Sequence, residues 1–235
     1  MTIDLNCDMG ELADAAIEEA LMPVITSANV ACGGHAGNTA TMRRTVEMAW
    51  RHGVAVGAHP GYPDRANFGR VEMPLSALQI AATVCEQLRF LATIAGTLTH
   101  VKPHGALYNV AVKNPEVARA IAEGVTRWGG DVALVGLEGS PMLDIWRGMG
   151  LRIAAEGFAD RRYEPDGTLR SRRFADALIT NPQDAAAQAV RLAGAGQVQT
   201  ICIHSDTPGS AEIAAAVADA LRQAGWQPRS LGGTY

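Results

Sequence analysis

Short apolar segments alternate with longer amphipathic segments from one end of the chain to the other. The apolar segments have the length and residue types of buried β-strands, and the amphipathic segments have the period of helices. The predicted strands are TIDLN, VITSANV, VAVGA, LTHVK, DVALVG, LRIAAE and TICIH. Because seven strands alternate strictly with helices, the pattern predicts a parallel sheet in an α/β protein.

Capping residues followed by proline mark the predicted helix starts. The segment 74–95 predicts one helix, with Pro74 in its first position and Gly96 as its C-terminal cap. Further starts are predicted at Asn114-Pro115, Ser140-Pro141, Asn181-Pro182 and Thr207-Pro208.

Charged or imidazole side chains stand at the predicted ends of nearly all the strands. In an open sheet these ends spread along an edge, whereas in a closed barrel they converge on one mouth. The pattern therefore favours a seven-stranded barrel, as a single domain over residues 1–235. The residues are Asp8, His35, His59, Lys102 with His104, Glu138, Glu156, and His204 with Asp206.

One predicted connection, residues 157–183, is unusually long for a compact domain. It carries five arginines without an equal run of acidic residues. Loops of this length are usually lids or binding loops, and guanidinium groups suit phosphate or carboxylate. The segment is predicted to present an unpaired positive surface that closes over an anion or docks a partner subunit.

Composition narrows the class of protein. The chain has 235 residues, 48% of them apolar, which is enough for one large core. A net charge of −4 without a basic block does not favour nucleic-acid binding. No apolar run reaches the ~18 residues of a membrane span, and the first residues lack the pattern of a signal peptide. Four widely spaced cysteines predict reduced thiols and a cytoplasmic protein.

The motif DLNCDMGE places acidic residues around the end of the first strand. Asn6 alternates with apolar neighbours and should face the barrel interior. Asp8 and Glu11 have two open interpretations. They cap the first helix, or they form a carboxylate pair for proton transfer or ligand binding.

Two further motifs combine histidine with glycine at strand ends. The motif SANVACGGHAGN contains Asn29. Its glycines Gly33 and Gly34 free the backbone for close ligand approach beside His35. In VGAHPGYPDRANFGR, a rigid turn fixes His59 over the mouth, and Arg70 adds polar reach.

The motif VKPHGALYN contains one of only two lysines in a chain with eighteen arginines. Lys102 can shift toward neutrality or act as a compact charge on an oxyanion, whereas arginine stays protonated. The alternative is a lysine stem that reaches out of the core to water. His104 can move protons near neutral pH, and Asn109 ends the motif. As a strand-end residue facing a wet mouth, Lys102 is expected to add little to stability.

The motif ICIHSDTPG places His204 and Asp206 on one face. Asp206 either orients a histidine or caps the next helix. Cys202 shares that face, but no nucleophile signature surrounds it, so all four cysteines are interpreted as inert.

These blocks, in order from residue 4 to residue 209, resemble the LamB/YcsF family of 5-oxoprolinase A subunits. The resemblance implies a deformed (β/α)7 barrel of the glycoside hydrolase/deacetylase type. It also implies ATP-dependent conversion of 5-oxo-L-proline to L-glutamate together with B and C subunits. The implied cofactor is ATP with Mg²⁺ in the assembled complex.

The candidate residues divide into two groups on this basis. The expected catalytic residues are Asp8, His59, Lys102 and His104. The expected substrate-binding residues are Asn6, Glu11, Asn29, Gly33, Gly34, His35, Arg70, Asn109, Arg161, Arg162, His204 and Asp206.

Two other functions stay open. Asp8, His35 and His59 could form the metal site of a deacetylase or amidohydrolase, yet no HExxH motif is present, so a protein-bound metal is not firmly predicted. A non-catalytic subunit that binds 5-oxoproline is the second alternative. The sequence also leaves self-association open.

Overall fold

The computed structural model describes residues 1–12 and 15–232. Seven parallel strands close into a barrel, because β1 pairs with both β2 and β7. The prediction of a closed seven-stranded barrel is therefore confirmed. A short additional strand, β8, pairs with the first residues of β1. The strands are β1 Thr2–Met9, β2 Ser27–Ala31, β3 Ala55–His59, β4 His100–Val101, β5 Ala133–Leu137, β6 Arg152–Phe158, β7 Thr200–His204 and β8 Gln227–Pro228.

Helices surround the barrel and bury its outer face. Large apolar side chains such as Leu5, Leu88 and Trp146 are fully buried in this layer. Among the residues described, no helix combines the length and the apolar character needed to cross a membrane. The helices are α1 Ala16–Leu21, α2 Thr39–His52, α3 Ala77–Ala95, α4 Gly105–Lys113, α5 Pro115–Trp128, α6 Pro141–Gly148, α7 Pro182–Gly194 and α8 Ser210–Gln223.

The capping signals predicted helix starts with mixed success. Helices α5 and α7 begin at the predicted prolines, after asparagine caps. The predicted start of α3 at Pro74 is wrong. Ser76 caps that helix instead, because its hydroxyl accepts from the Gln79 N–H while the Gln79 side chain accepts from the Ser76 N–H. Helix α8 begins two residues beyond Pro208.

The inner face of β1 carries polar side chains into the barrel. Asp4, Asn6 and Asp8 alternate along the strand and all are buried. Since β1 continues through Met9 and α1 begins at Ala16, the interpretation of Asp8 as a helix cap is wrong. The strand period of two has placed three polar groups in a column beneath the mouth.

The arginine-rich segment 157–183 starts inside β6 and then folds back on itself through short antiparallel bridges. The sequence predicted that its arginines form an unpaired positive surface, and for two of the five this is wrong. Arg170 pairs with Glu164 and Asp176 within the segment, and Arg172 pairs with Asp206 at the mouth. Only part of its positive charge is left for a ligand.

Candidate active site

The carboxyl ends of the strands surround a cavity of about 900 Å³, and the segment 157–183 forms part of its wall. Most of the candidate residues meet here, as expected for the mouth of a parallel barrel. The candidates that line the cavity are Asp8, Glu11, His59, Arg70, Lys102, His104, Asn109, Arg161, His204 and Asp206.

Lys102 lies at the floor of this cavity and is only 2% exposed. Its Nζ atom is 2.9 Å from Glu156 Oε1 and 3.1 Å from Asp8 Oδ1. It also lies 3.0 Å from Cys202 Sγ and 3.3 Å from Asn6 Oδ1. The ammonium group is therefore enclosed by four acceptors, and the alternative of a stem that reaches out to water is wrong.

The charge of Lys102 is decided by its acidic neighbours. Burial would lower the pKa of Lys102, but the carboxylates of Asp8 and Glu156 hold it well above its usual range. The expectation of a lysine shifted toward neutrality is therefore wrong. A compact ammonium with three N–H donors suits this enclosed set of acceptors, whereas a planar guanidinium does not.

Asp8 connects the lysine to the histidines. Its Oδ1 atom accepts a hydrogen bond from Asn29 Nδ2 at 2.8 Å, and its Oδ2 atom lies 3.3 Å from His59 Nε2. Burial would raise the pKa of Asp8, yet its contact with His59 and the charge of Lys102 hold it well below its usual range. Asp8 is thus an ionised carboxylate that reaches the cavity.

Asn6 and Asn29, predicted to bind substrate, lie beneath the cavity and position other side chains. Asn29 Nδ2 donates to Asn6 Oδ1 at 2.7 Å, and Asn29 Oδ1 lies 2.8 Å from His100 Nε2. Asn6 Nδ2 donates to Glu156 Oε1 at 3.0 Å. These amides hold the carboxylates around Lys102 in place.

Glu156 and Tyr108 belong to the site although neither was selected as a candidate. Glu156 is fully buried, and its Oε2 atom accepts from the Tyr108 hydroxyl at 3.0 Å. Burial and the charge of Glu156 raise the pKa of Tyr108 well above its usual range. Their position offered a signal, since Glu156 ends an apolar strand segment and Tyr108 lies inside the motif VKPHGALYN.

A second polar group, formed by Glu11 and three histidines, lies beside Asp8. Glu11 Oε1 is 2.8 Å from His35 Nε2 and 3.1 Å from His104 Nδ1. Burial would raise the pKa of Glu11, but its contacts with the rings of His104 and His35 lower it. Burial lowers the pKa of His35 to about 4. Glu11 is therefore not a helix cap but the carboxylate of an imidazole cluster.

The rim of the cavity contains ion pairs that differ from those predicted. Asp206 accepts from Arg172 and from Arg70, so it neither orients a histidine nor caps α8. His204 is oriented instead by Asp160, whose carboxylate lies 3.0 Å from its Nδ1 atom. Asp160 is fully buried and was missed from the sequence, because it lies within the arginine-rich segment.

Arg161 is the one arginine of segment 157–183 that is both buried and unpaired with an acid among the described residues. It is 7% exposed and lines the cavity. Its Nη2 atom donates to the Arg170 backbone carbonyl, whereas its Nε atom has no hydrogen-bond partner in the described part of the chain. Burial and the nearby charge of Arg172 lower the pKa of Arg161. This guanidinium is placed to bind an anion.

The remaining candidates lie outside the cavity lining. A Cβ atom on Gly34 would lie 2.5 Å from Gln87 Oε1, and Gly33 faces Phe90, so these glycines serve packing rather than the predicted substrate contact. Arg162 is exposed, although its neighbour Arg161 is buried. His35 is buried behind the other histidines.

A closed parallel barrel, with a polar centre at its mouth, defines this chain as a (β/α)7-barrel protein. The family 4 carbohydrate esterase from Streptomyces lividans shares this fold, with a TM-score of 0.55 at 12% identity over 98% of this chain and 93% of that one. The chain belongs to the LamB/YcsF family, whose sequence profile matches residues 3–234.

Relatives within the family are similar over nearly their whole length. The A subunit of 5-oxoprolinase from Chloroflexus aggregans is 47% identical, over 96% of this chain and 97% of the relative. The A subunit of 5-oxoprolinase from Bordetella pertussis is 43% identical, over 95% of this chain and 96% of the relative. The lactam utilization protein from Thermus thermophilus superposes with a TM-score of 0.91 at 39% identity, over 98% of this chain and all of that one.

Proposed function

We propose that the chain is the A component of an ATP-dependent 5-oxoprolinase and cleaves 5-oxo-L-proline to L-glutamate together with B and C subunits in the cytoplasm. The names of its relatives support this function. The observation that carries it here is the presence in one cavity of an ionised Asp8–Lys102 floor and of the Arg161 guanidinium, which pairs with no acid among the described residues. A small cyclic amide that bears a carboxylate complements both.

The groups at the floor suit hydrolysis of an activated amide. ATP, with Mg²⁺, supplies the phosphoryl group that activates the lactam carbonyl oxygen in the assembled complex. Asp8 is ionised, reaches the cavity, and takes a proton from the attacking water. Lys102 keeps Asp8 charged and offers positive charge to the phosphorylated oxygen, which leaves as phosphate, while the ring nitrogen takes up a proton as the C–N bond breaks. Arg161 holds the substrate carboxylate with charge-assisted hydrogen bonds.

Activity is expected only in the complex. The chain contains no GxxxxGK[ST] phosphate-binding loop, and the names of its relatives describe one component of a larger enzyme. ATP-dependent glutamate formation from 5-oxoproline should therefore appear when B and C subunits are added to the purified chain, and not without them. The measurement is glutamate and ADP release, with a Lys102→Ala chain as the control for contaminating activity.

Three other results would point elsewhere. Glutamate formation by the isolated chain with ATP would contradict the division of labour. Full activity of a complex that contains the Lys102→Ala chain would indicate a subunit that only binds substrate. Release of acetate from N-acetylated sugar oligomers by the isolated chain would instead favour the deacetylase function.

Arg161 and Arg162 provide a matched test of substrate binding, because they are adjacent but only Arg161 lines the cavity. Arg161→Ala in the complex should raise KM for 5-oxoproline roughly tenfold or more, since a charge-assisted hydrogen bond contributes about 1.5–3 kcal/mol. Arg162→Ala should leave KM unchanged. Equal effects of the two substitutions would mean that the segment acts through its fold, which a shift in Tm would also show.

A further inference from the structure

Two backbone carbonyls determine which ring nitrogens carry hydrogen in His59 and His104. His59 Nδ1 lies 2.7 Å from the Lys102 carbonyl oxygen, and His104 Nε2 lies 2.9 Å from the Phe68 carbonyl oxygen. A carbonyl oxygen can only accept, so each of these nitrogens carries a hydrogen. In the neutral rings, the lone pairs therefore belong to His59 Nε2 and His104 Nδ1.

These two lone-pair nitrogens face each other at 2.9 Å. Two lone pairs at that distance repel unless a positive group lies with them, which is either a shared proton or a metal cation. Glu11 Oε1 lies 3.1 Å from His104 Nδ1 and 3.7 Å from His59 Nε2. Two imidazole nitrogens and a carboxylate oxygen thus converge on one point.

We propose that Glu11, His59 and His104 bind a divalent transition-metal ion, with one coordination position open to the cavity. Two histidines and one carboxylate are a common ligand set of catalytic zinc sites, in which water or substrate takes the remaining position. Their ligand atoms all lie within 4.8 Å of one another, and all three residues line the cavity. Nitrogen and oxygen ligands of this kind suit Zn²⁺ or Co²⁺ rather than Ca²⁺.

The surroundings of the three ligands are those of a built metal site. Metal-binding histidines usually donate their other ring N–H to a carbonyl or a carboxylate, as both rings do here. Phe68, whose carbonyl accepts from His104, has a φ of 55°, in the left-handed region that is unfavourable for a residue with a side chain. Such strain is found where a backbone group must be held in a particular place.

His35 supports the carboxylate rather than completing the ligand set. Its Nε2 atom is 2.8 Å from Glu11 Oε1, and its ring stacks on His104 with 3.5 Å between ring centroids. Glycine is required next to it, because a Cβ atom on Gly61 would lie 2.7 Å from His35 Nδ1. A Cβ atom on Gly69 would lie 2.6 Å from the Cβ atom of His35.

The proposed ligands differ from those considered in the sequence. A ligand set of Asp8, His35 and His59 is replaced, because Glu11 and His104 reach the shared point while His35 is held behind it. The site itself does not rest on the proposed function. Where that function holds, a cation in this position would polarise the lactam carbonyl oxygen next to Asp8.

The test is a titration of the full chain, purified without a histidine tag and freed of metal with chelator. Co²⁺ should produce visible absorption bands of a nitrogen- and oxygen-coordinated ion that saturate at one equivalent. Calorimetry with Zn²⁺ should give the same stoichiometry, and Zn²⁺ should raise Tm because the ion binds the folded state. These measurements need neither partner subunits nor 5-oxoproline, so their outcome is independent of the proposed function.

Variants locate the ion. His59→Ala and His104→Ala should each weaken Co²⁺ binding by on the order of 100-fold, and His35→Asn by roughly 10- to 100-fold, as for loss of a supporting contact. His204→Ala is the matched control, because His204 also lines the cavity but lies outside the cluster. Absence of saturable Co²⁺ absorption in the unaltered chain would overturn the proposal in favour of a shared proton. Loss of binding in His204→Ala with retention in His59→Ala would overturn it as well.

Discussion

Lys102→Arg in the assembled complex is expected to lose on the order of 10²-fold or more of 5-oxoproline turnover, nearly as much as Lys102→Ala. The Nζ atom is enclosed by four acceptors at 2.9–3.3 Å, so there is no room for a planar guanidinium. Charge alone would survive the substitution, but its position next to Asp8 and Glu156 would not. The measurement is kcat at saturating 5-oxoproline and ATP.

The same position should also matter for stability, contrary to the expectation from the sequence. Lys102 is 2% exposed and neutralises two buried carboxylates. Removal of one partner from a buried ion pair costs about 3–5 kcal/mol, so Lys102→Ala should lower Tm clearly. Activity is therefore compared below the Tm of each variant.

The matched control is Lys113→Arg. Lys113 is the other lysine of the chain, and it lies exposed at the rim of the same cavity. That substitution should leave both kcat and Tm unchanged. Near-normal turnover in Lys102→Arg would show that any cation suffices at the floor, and would remove the steric reason for a lysine at this position.

Asp8→Asn is expected to lower kcat by roughly 10²- to 10⁴-fold with little change in KM, as for loss of a group that acts in proton transfer. The amide has the size of the carboxylate and can still accept from Asn29. However, it cannot take a proton from water, and it removes one negative charge from beside Lys102. Steady-state kinetics of the complex separate kcat from KM.

Asp4→Asn is the control for this substitution. Asp4 lies on the same face of β1, is equally enclosed, and does not line the cavity. Burial raises the pKa of Asp4 to about 6, so loss of its charge removes less from the folded protein than loss of the Asp8 charge does. Turnover of Asp4→Asn should stay within a few-fold of normal. A loss as large as that of Asp8→Asn would mean that removal of either buried carboxylate from the barrel interior disturbs the site. Loss of proton transfer would then not be the cause.

The sequence by itself determined the barrel and ten of the polar and charged residues that line the cavity. Strict alternation of strands and helices predicted a parallel sheet, and polar residues at successive strand ends favoured its closure. The period of two along TIDLN placed Asn6 on the inner face. These features follow from local periodicity, which each segment carries in its own residues.

Only the tertiary structure decided which of these residues meet and how they are charged. Lys102 is an ammonium because Asp8 and Glu156, from strands far away in the chain, lie within 3.1 Å of it in a buried place. His204 likewise pairs with Asp160 because the fold brings the two side chains together. Arg170 and Arg172 are neutralised by acidic residues for the same reason. Convergence of Glu11, His59 and His104 likewise depends on barrel closure. Charge state and ligand geometry depend on distances across the barrel and on exclusion of water, and neither quantity is encoded in the spacing of residues along the chain.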